Sequence, residues 1–218
     1  MKKILIFAFF ALFPLNAYSL EYAEFDESQE SFFMGVETGY LSGGNFFSQA
    51  KKRVKRTIPD ASGMSMANSD SFVLRFIPSI HIKETKIRVG IIFDFGRLPK
   101  MDYVSDSVLF SFGGGTFTRS MAHFEYFVLG DAKDNKGLAL SASIGKFHIV
   151  HSDITQEKYD LKSQHDNCIT YEAGITGAVK LSKNARITMS AAYTSPLNYK
   201  DFYWNAFQAT AGISYFMF

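Results

Sequence analysis

The chain closes on "NAFQATAGISYFMF" (205–218), and that stretch decides the fold. Termini of soluble domains usually fray into water on small polar residues. Here Phe207, Ala209, Ala211, Ile213, Tyr215 and Met217 share one face of an extended strand, and Gln208, Thr210, Gly212 and Ser214 share the other. A final strand of this pattern needs apolar solvent against one of its two faces.

Working back from the end, the same alternation of period two recurs, and eight segments of roughly ten residues carry it. They are 31–41, 71–82, 87–95, 118–130, 137–149, 168–181, 186–195 and the C-terminal segment. In 168–181, for example, Ile169, Tyr171, Ala173, Ile175 and Val179 oppose Thr170, Glu172, Gly174 and Thr176. The links 83–86, 131–136 and 182–185 are short and polar, whereas 42–70, 96–117, 150–167 and 196–203 are longer. Short and long links alternate, which is the plan of an all-β, up-and-down antiparallel transmembrane barrel with short periplasmic turns and longer external loops. The link 96–117 is long enough to hold a further hairpin.

Bulk composition agrees. Aromatics make up 16% of the 218 residues, with 23 Phe and 11 Tyr, yet mean hydropathy is only -0.02. No second run of 18 or more apolar residues offers a spanning helix. The opening "MKKILIFAFFALFPLNAYS" (1–19) reads as a cleaved signal peptide: Lys2 and Lys3 precede an apolar core, and Ala17-Tyr18-Ser19 is a small-x-small cleavage site. That leaves 20–30 as a short acidic periplasmic segment and 31–218 as the barrel, in the outer membrane of a Gram-negative-type bacterium. Without Lys2 and Lys3 the bases balance the 21 acids, so no general attraction to nucleic acid follows. The lone cysteine, Cys168, has no partner for an internal disulfide and reads as a small side chain at a strand end.

The two faces of such a barrel meet different solvents. Tyr40, Phe72, Phe95, Tyr171, Tyr193 and Phe207 fall toward the external end, and Phe32, Tyr126 and Tyr215 toward the periplasmic end, as interfacial girdles do. The polar face is rich in Gly, Ala, Ser and Thr and carries Glu37, Asp94, Glu125 and Glu172 against Arg75, Arg88, Arg119, Lys180 and Arg186. Eight strands enclose room only for side chains, so these charges are expected to pair across a plugged lumen rather than line an ion path. Two places depart from the pattern. Pro78 interrupts its strand, and a bulge is the simplest accommodation. Phe147 and Ile149 are apolar on the polar face, which calls for a register shift after Gly145 or an exit from the membrane.

Gly212, Phe216 and Phe218 together resemble the C-terminal signal read by the outer-membrane assembly machinery, and "GVETGYLSGG" (35–44) resembles a first strand entering a long loop in small barrels of the OmpA/OmpX/Ail type. The resemblance is architectural and spans the mature chain. It implies an eight-stranded outer-membrane barrel, monomeric, in contact with outer-membrane lipid and lipopolysaccharide. One departure is that Ser214 and Thr210 share the parity of Phe216, so a register slip near the end or an atypical signal is expected.

Local motifs add one functional feature. "KKRVKR" (51–56) places Lys51, Lys52, Arg53, Lys55 and Arg56 in the first long link, where clustered bases would meet lipopolysaccharide or an anionic host polysaccharide. "FHIVHSD" (147–153) suggests a Ser–His pair of the kind used by lipid A acyl hydrolases and transferases. In an extended strand, however, His148 and Ser152 stand roughly 13 Å apart at ~3.3 Å per residue, too far for a base to activate a nucleophile. His81 and His123 lie on the polar face with no third ligand at metal spacing and read as hydrogen-bonded residues. "FSFGGGTF" (110–117) matches no phosphate-binding pattern and reads as a flexible turn at a hairpin tip. No cofactor fingerprint is present. The sequence therefore predicts a structural or surface-interactive (adhesive, envelope) outer-membrane barrel, with a lipid A-modifying enzyme as the alternative, a narrow porin-like pore behind it, and a secreted lipocalin-like barrel as the water-soluble option.

Overall fold

A computed structural model of the chain describes residues 31–42, 62–68, 71–97, 100–105, 108–113, 115–151, 165–197 and 205–217. The strands are β1 (Phe32–Leu41), β2 (Ser62–Asn68), β3 (Phe72–His81), β4 (Ile87–Arg97), β5 (Lys100–Ser105), β6 (Val108–Gly113), β7 (Gly115–Asp131), β8 (Lys136–His151), β9 (His165–Lys180), β10 (Ala185–Pro196) and β11 (Ala206–Phe216). Eight of them close into an antiparallel barrel in the order β1-β11-β10-β9-β8-β7-β4-β3, and β2-β5-β6 form a separate three-stranded sheet. The C-terminal segment closes the barrel: β11 pairs with β10 on one side and β1 on the other.

Alternation dictates which face turns inward. In β7, Phe117, Arg119, Met121, His123, Glu125 and Phe127 are buried, whereas Phe124, Tyr126 and Val128 are exposed. The alternation runs through all eight barrel strands, so the buried charges and most of the small polar side chains turn into the lumen beside a minority of apolar ones, and apolar side chains cover the outside. The girdle positions Tyr40, Phe72, Phe95, Tyr171 and Phe207 are all exposed. Tyr193, half-buried, packs on Phe207 with ring centroids 5.3 Å apart.

Tight turns connect β3 to β4, β7 to β8 and β9 to β10 at one end of the barrel, here the turn end; the longer links leave from the other, the loop end. The β7–β8 turn shows how closure is obtained. Asp131 Oδ1 accepts from the Lys133 amide at 2.8 Å, and Gly130 and Gly137, paired across the ladder, adopt φ of +90° and +124°. A Cβ on either glycine would stand 2.0 Å from a backbone oxygen, so only glycine fits.

Several sequence expectations need correction. Pro78 introduces no bulge: the β3–β4 ladder lapses at Ile77 and Pro78 and resumes in the same register, from Phe76↔Phe93 to Ser79↔Gly90. Gly90 permits that approach, since a Cβ there would stand 2.4 Å from the Pro78 carbonyl oxygen. The strand holding Phe147 neither shifts after Gly145 nor leaves the barrel; its pairing with β7 runs unbroken from Gly115↔His151 to Phe127↔Ala139. Phe147 is buried in the lumen, its ring 5.5 Å from that of Phe117, so an apolar residue on the inner face has an apolar neighbour there. The register near the chain end does not slip either: the β1–β11 ladder is regular from Leu41↔Gln208 to Phe33↔Phe216, and Phe216 packs edge-on against Phe33 at 5.2 Å.

The 96–117 link does hold a hairpin, β5–β6, which β2 from the first long link joins. The glycine run is not its tip. Gly113 ends β6 and Gly115, with φ of +97°, begins β7, so the run falls where the chain passes from the small sheet back into the barrel. Residues 1–30, Phe218 and the bases of 51–56 lie outside the described residues.

Candidate functional site

Two places could carry function: the lumen, and the loop end where the small sheet is built. The lumen is ordered in layers. Nearest the loop end, Phe117 and Phe147 lie over Arg119, whose guanidinium carbon is 5.8 and 6.0 Å from the two ring centroids. Below them is a four-membered ionic layer. Arg75 Nε and Nη2 donate to the two oxygens of Asp94 at 2.8 and 3.0 Å, and its Nη1 and Nη2 donate to the two oxygens of Glu172 at 2.9 and 2.7 Å. Arg119 also donates to Asp94 and to Gln208, sits 3.4 Å from Glu172, and donates to Thr194 Oγ1 at 3.1 Å. Two guanidinium groups thus meet two carboxylates, all four side chains at least 97% shielded from solvent.

The pairing follows from register. Arg75, Asp94 and Arg119 are consecutive partners across β3, β4 and β7, which sets alternating charges side by side on one inner wall. Glu172, from β9, comes from the opposite wall and ties the layer across the lumen. Buried ions of this kind are costly to desolvate and hold only when every donor and acceptor is placed. Arg75, with both carboxylates gripped in fork geometry, meets that demand.

The middle of the lumen divides by wall. On the β3–β4–β7 side Ile77, Ile92 and Met121 form an apolar cluster. On the far side hydroxyls gather around Glu37: Thr210 Oγ1 donates to it at 2.5 Å and Ser190 Oγ at 3.3 and 3.4 Å. The next layer toward the turns is looser. Arg88 stands 3.4 Å from Glu125 and donates to Ser79 at 2.6 Å, while His123 is 3.4 Å from Glu125 and shares a 2.9 Å hydrogen bond with Ser143. The Arg88 guanidinium covers the ring of Phe33 at 4.8 Å. At the turn end Arg186, 2% exposed, donates to the carbonyls of Asp134 at 2.6 Å, Ser182 at 3.0 Å and Lys183 at 3.1 Å, and so closes that mouth.

The lumen positions named from sequence are therefore spread over distinct environments. Arg75, Asp94, Arg119 and Glu172 come together in one layer; Arg88 and Glu125 form a second with His123. Glu37 lies among hydroxyls, and Arg186 caps backbone carbonyls. Lys180 is not in the lumen network: its side chain is 46% exposed at the turn rim, 4.0 Å from Asp134. Sequence reading put Phe33 on the inner face but left out the other apolar lumen residues, Ile77, Ile92, Phe117, Met121 and Phe127, because it looked for apolar side chains on the outer face. Their parity was the available signal.

His81, His123 and His148 each make a described side-chain hydrogen bond. His81 Nε2 lies 2.8 Å from the Thr85 carbonyl, and His148 Nδ1 lies 2.6 Å from Asn167 Oδ1, its ladder partner. Ser152 lies outside the described residues. Among the described residues no group of three His, Cys, Asp or Glu side chains could hold a metal ion. Cys168 is half-buried in β9, paired across the ladder with Phe147.

No protein-family model and no curated protein matches the chain. Solved structures similar to it include Ail, the attachment invasion locus protein of Yersinia pestis, in complex with the heparin analogue sucrose octasulfate: 13% identity, 85% of this chain and 97% of that chain covered, TM-score 0.44. Neisserial surface protein A is similar at 8% identity, with 87% and 99% covered and a TM-score of 0.44. The N-terminal β-barrel domain of Pseudomonas aeruginosa OprF is similar at 14% identity, with 85% and 96% covered and a TM-score of 0.40. Likeness of this degree transfers no activity and no ligand, and the chain's own geometry identifies it as a closed eight-stranded antiparallel β-barrel of the up-and-down kind.

Proposed function

We propose that the chain is an integral outer-membrane barrel that acts as a rigid, sealed support for surface recognition by its loop-end segments. One observation carries the reading. The outer wall exposes Phe207 at 69%, Met189 at 62%, Ile213 at 52% and Ile175 at 48%, while Arg75, Asp94, Arg119 and Glu172 are buried inside. In water this arrangement exposes far more contiguous apolar surface than a soluble monomer carries. In a bilayer it is the expected one: strands satisfy their backbone within a closed ladder and present apolar side chains to lipid. The layered lumen supports a plug rather than a conduit. Interaction with other molecules then falls to the loop end, where the long links leave the barrel and β2, β5 and β6 build a sheet from two of them.

Lys51, Lys52, Arg53, Lys55 and Arg56 lie between β1 and β2, in the link that joins barrel to sheet. Five bases at that place suit an anionic polymer, such as the phosphorylated sugars of lipopolysaccharide or a sulfated host polysaccharide, held by charge and released by salt. Replacing the five by Gln and Ser is expected to weaken binding of the purified protein to a sulfated polysaccharide and to flatten its salt dependence. Undiminished binding at low salt would remove this link from the account.

A further inference from the structure

The outer wall is not evenly convex. Near its loop end it carries an apolar groove of about 450 Å³ across β1, β11, β10 and β9. Register explains it. Tyr40, Ala209, Ala191 and Ile175 are consecutive ladder partners and all point outward, so two adjacent alanines separate two large side chains. Three strand spacings of ~4.8 Å put Tyr40 and Ile175 roughly 14 Å apart along the wall. Ala211 and Met189 continue the row beneath on the turn side, and the packed rings of Tyr193 and Phe207 close the loop side.

We propose that this groove holds an acyl chain of a membrane lipid, seated by its headgroup near Tyr40 and Tyr193. The inference rests on the reading of the barrel as an outer-membrane protein, because that reading determines what surrounds the wall. Three observations select the occupant. The groove is continuous with the exposed apolar belt of Ile175, Met189, Phe207 and Ile213, so its neighbours are the hydrocarbon chains of the bilayer. Its described lining carries no charged side chain, which disfavours any polar or charged partner. Its shape is a shallow trough open along the wall and lined almost wholly by apolar surface, which suits a chain lying against the wall and not a compact enclosed ligand. Tyr40 forms one side wall and Tyr193 the loop side, and an apolar ring that carries a polar hydroxyl suits the boundary between chain and headgroup.

The test fills the groove. Ala191→Phe and Ala209→Phe place rings in the floor, on the outer face, without touching the lumen. Wild type and variants are inserted into nanodiscs of a saturated phosphatidylethanolamine, extracted in mild detergent and weighed intact by native mass spectrometry. The expected result is a retained phospholipid adduct on the wild type whose occupancy falls roughly tenfold in either variant, the loss that about 1.4 kcal/mol represents. Both variants should keep the boiling-dependent gel shift of a closed barrel. Equal adduct in wild type and variants, or none on the wild type, overturns the proposal. A wild-type dimer that the variants abolish also overturns it, since the occupant is then a second copy. If the wild type itself neither enters the membrane nor shifts on boiling, the underlying membrane reading fails and not the groove alone.

Discussion

The two faces of β9 differ by one residue of phase and by everything else. Outward stand Tyr171, Ile175 and Val179, exposed at 36%, 48% and 66%; inward stand Thr170, Glu172 and Thr176, each buried. A strand of a soluble sandwich has the same alternation with the opposite sense, its apolar face against a core and its polar face in water. The difference teaches that the period of a strand reveals its pleat, whereas the identity of the polar residues reveals which side is solvent. Small hydroxyl residues with a few charges that meet one another across the wall fit an enclosed lumen; scattered Lys and Glu fit a surface.

The inner face is where the contrast breaks most easily. Arg75→Leu leaves Asp94 and Glu172 with Arg119 as their remaining cation in the layer, and removing one partner of a buried ionic set costs about 3–5 kcal/mol. The urea midpoint of the vesicle-inserted barrel should fall accordingly; an unmoved midpoint would mean that the layer is hydrated and not sealed. On the outer face, Ile175→Arg near the middle of β9 puts a cation into the hydrocarbon and should destabilise by about 2–4 kcal/mol. That loss should appear in lipid vesicles and shrink in detergent micelles. A third substitution sharpens the boundary between the two faces. Lys180 has the inward parity but is exposed at the rim, so Lys180→Gln should change stability by no more than about 0.5 kcal/mol. A loss like that of Arg75→Leu would place Lys180 inside the network after all.

Much of the architecture was legible because alternation is a local property. The eight barrel segments and their in–out sense follow from residues within about ten positions of one another, and the alternation of short and long links follows from the spacing of those segments. What was not legible depended on neighbours brought from elsewhere. Phe147 looked out of phase because Phe117, thirty positions earlier on β7, is what gives its ring an apolar neighbour inside the lumen. Pro78 looked as if it required a bulge because Gly90, which lets the two backbones approach without one, lies on another strand. The charged lumen residues were identifiable by parity, but their grouping was set by register. Arg75, Asp94 and Arg119 adjoin across three strands, while Glu37, whose ladder partner is Arg75, turns to Thr210 and Ser190 instead. The sheet β2-β5-β6 was half visible. Val108, Phe110 and Phe112 alternate as a strand should, whereas "SGMSMAN" (62–68) has little apolar contrast.

The candidate site was less legible than the fold for the same reason. A cluster such as 51–56 announces charge, and charge alone names a class of partner but no geometry. The outer groove had no signature at all in the linear sequence. It comes from alanines on β10 and β11 meeting in register, each unremarkable within its own strand.

The central claim is a closed barrel whose apolar face is turned outward to lipid. Its most direct test is to isolate the outer-membrane fraction and run it unboiled and boiled in dodecyl sulfate. The account predicts a band in that fraction that resists unboiled detergent, migrates as a compact species and shifts on boiling. A periplasmic, detergent-free band of unchanged mobility would contradict it, because the apolar face would then have to be an internal core.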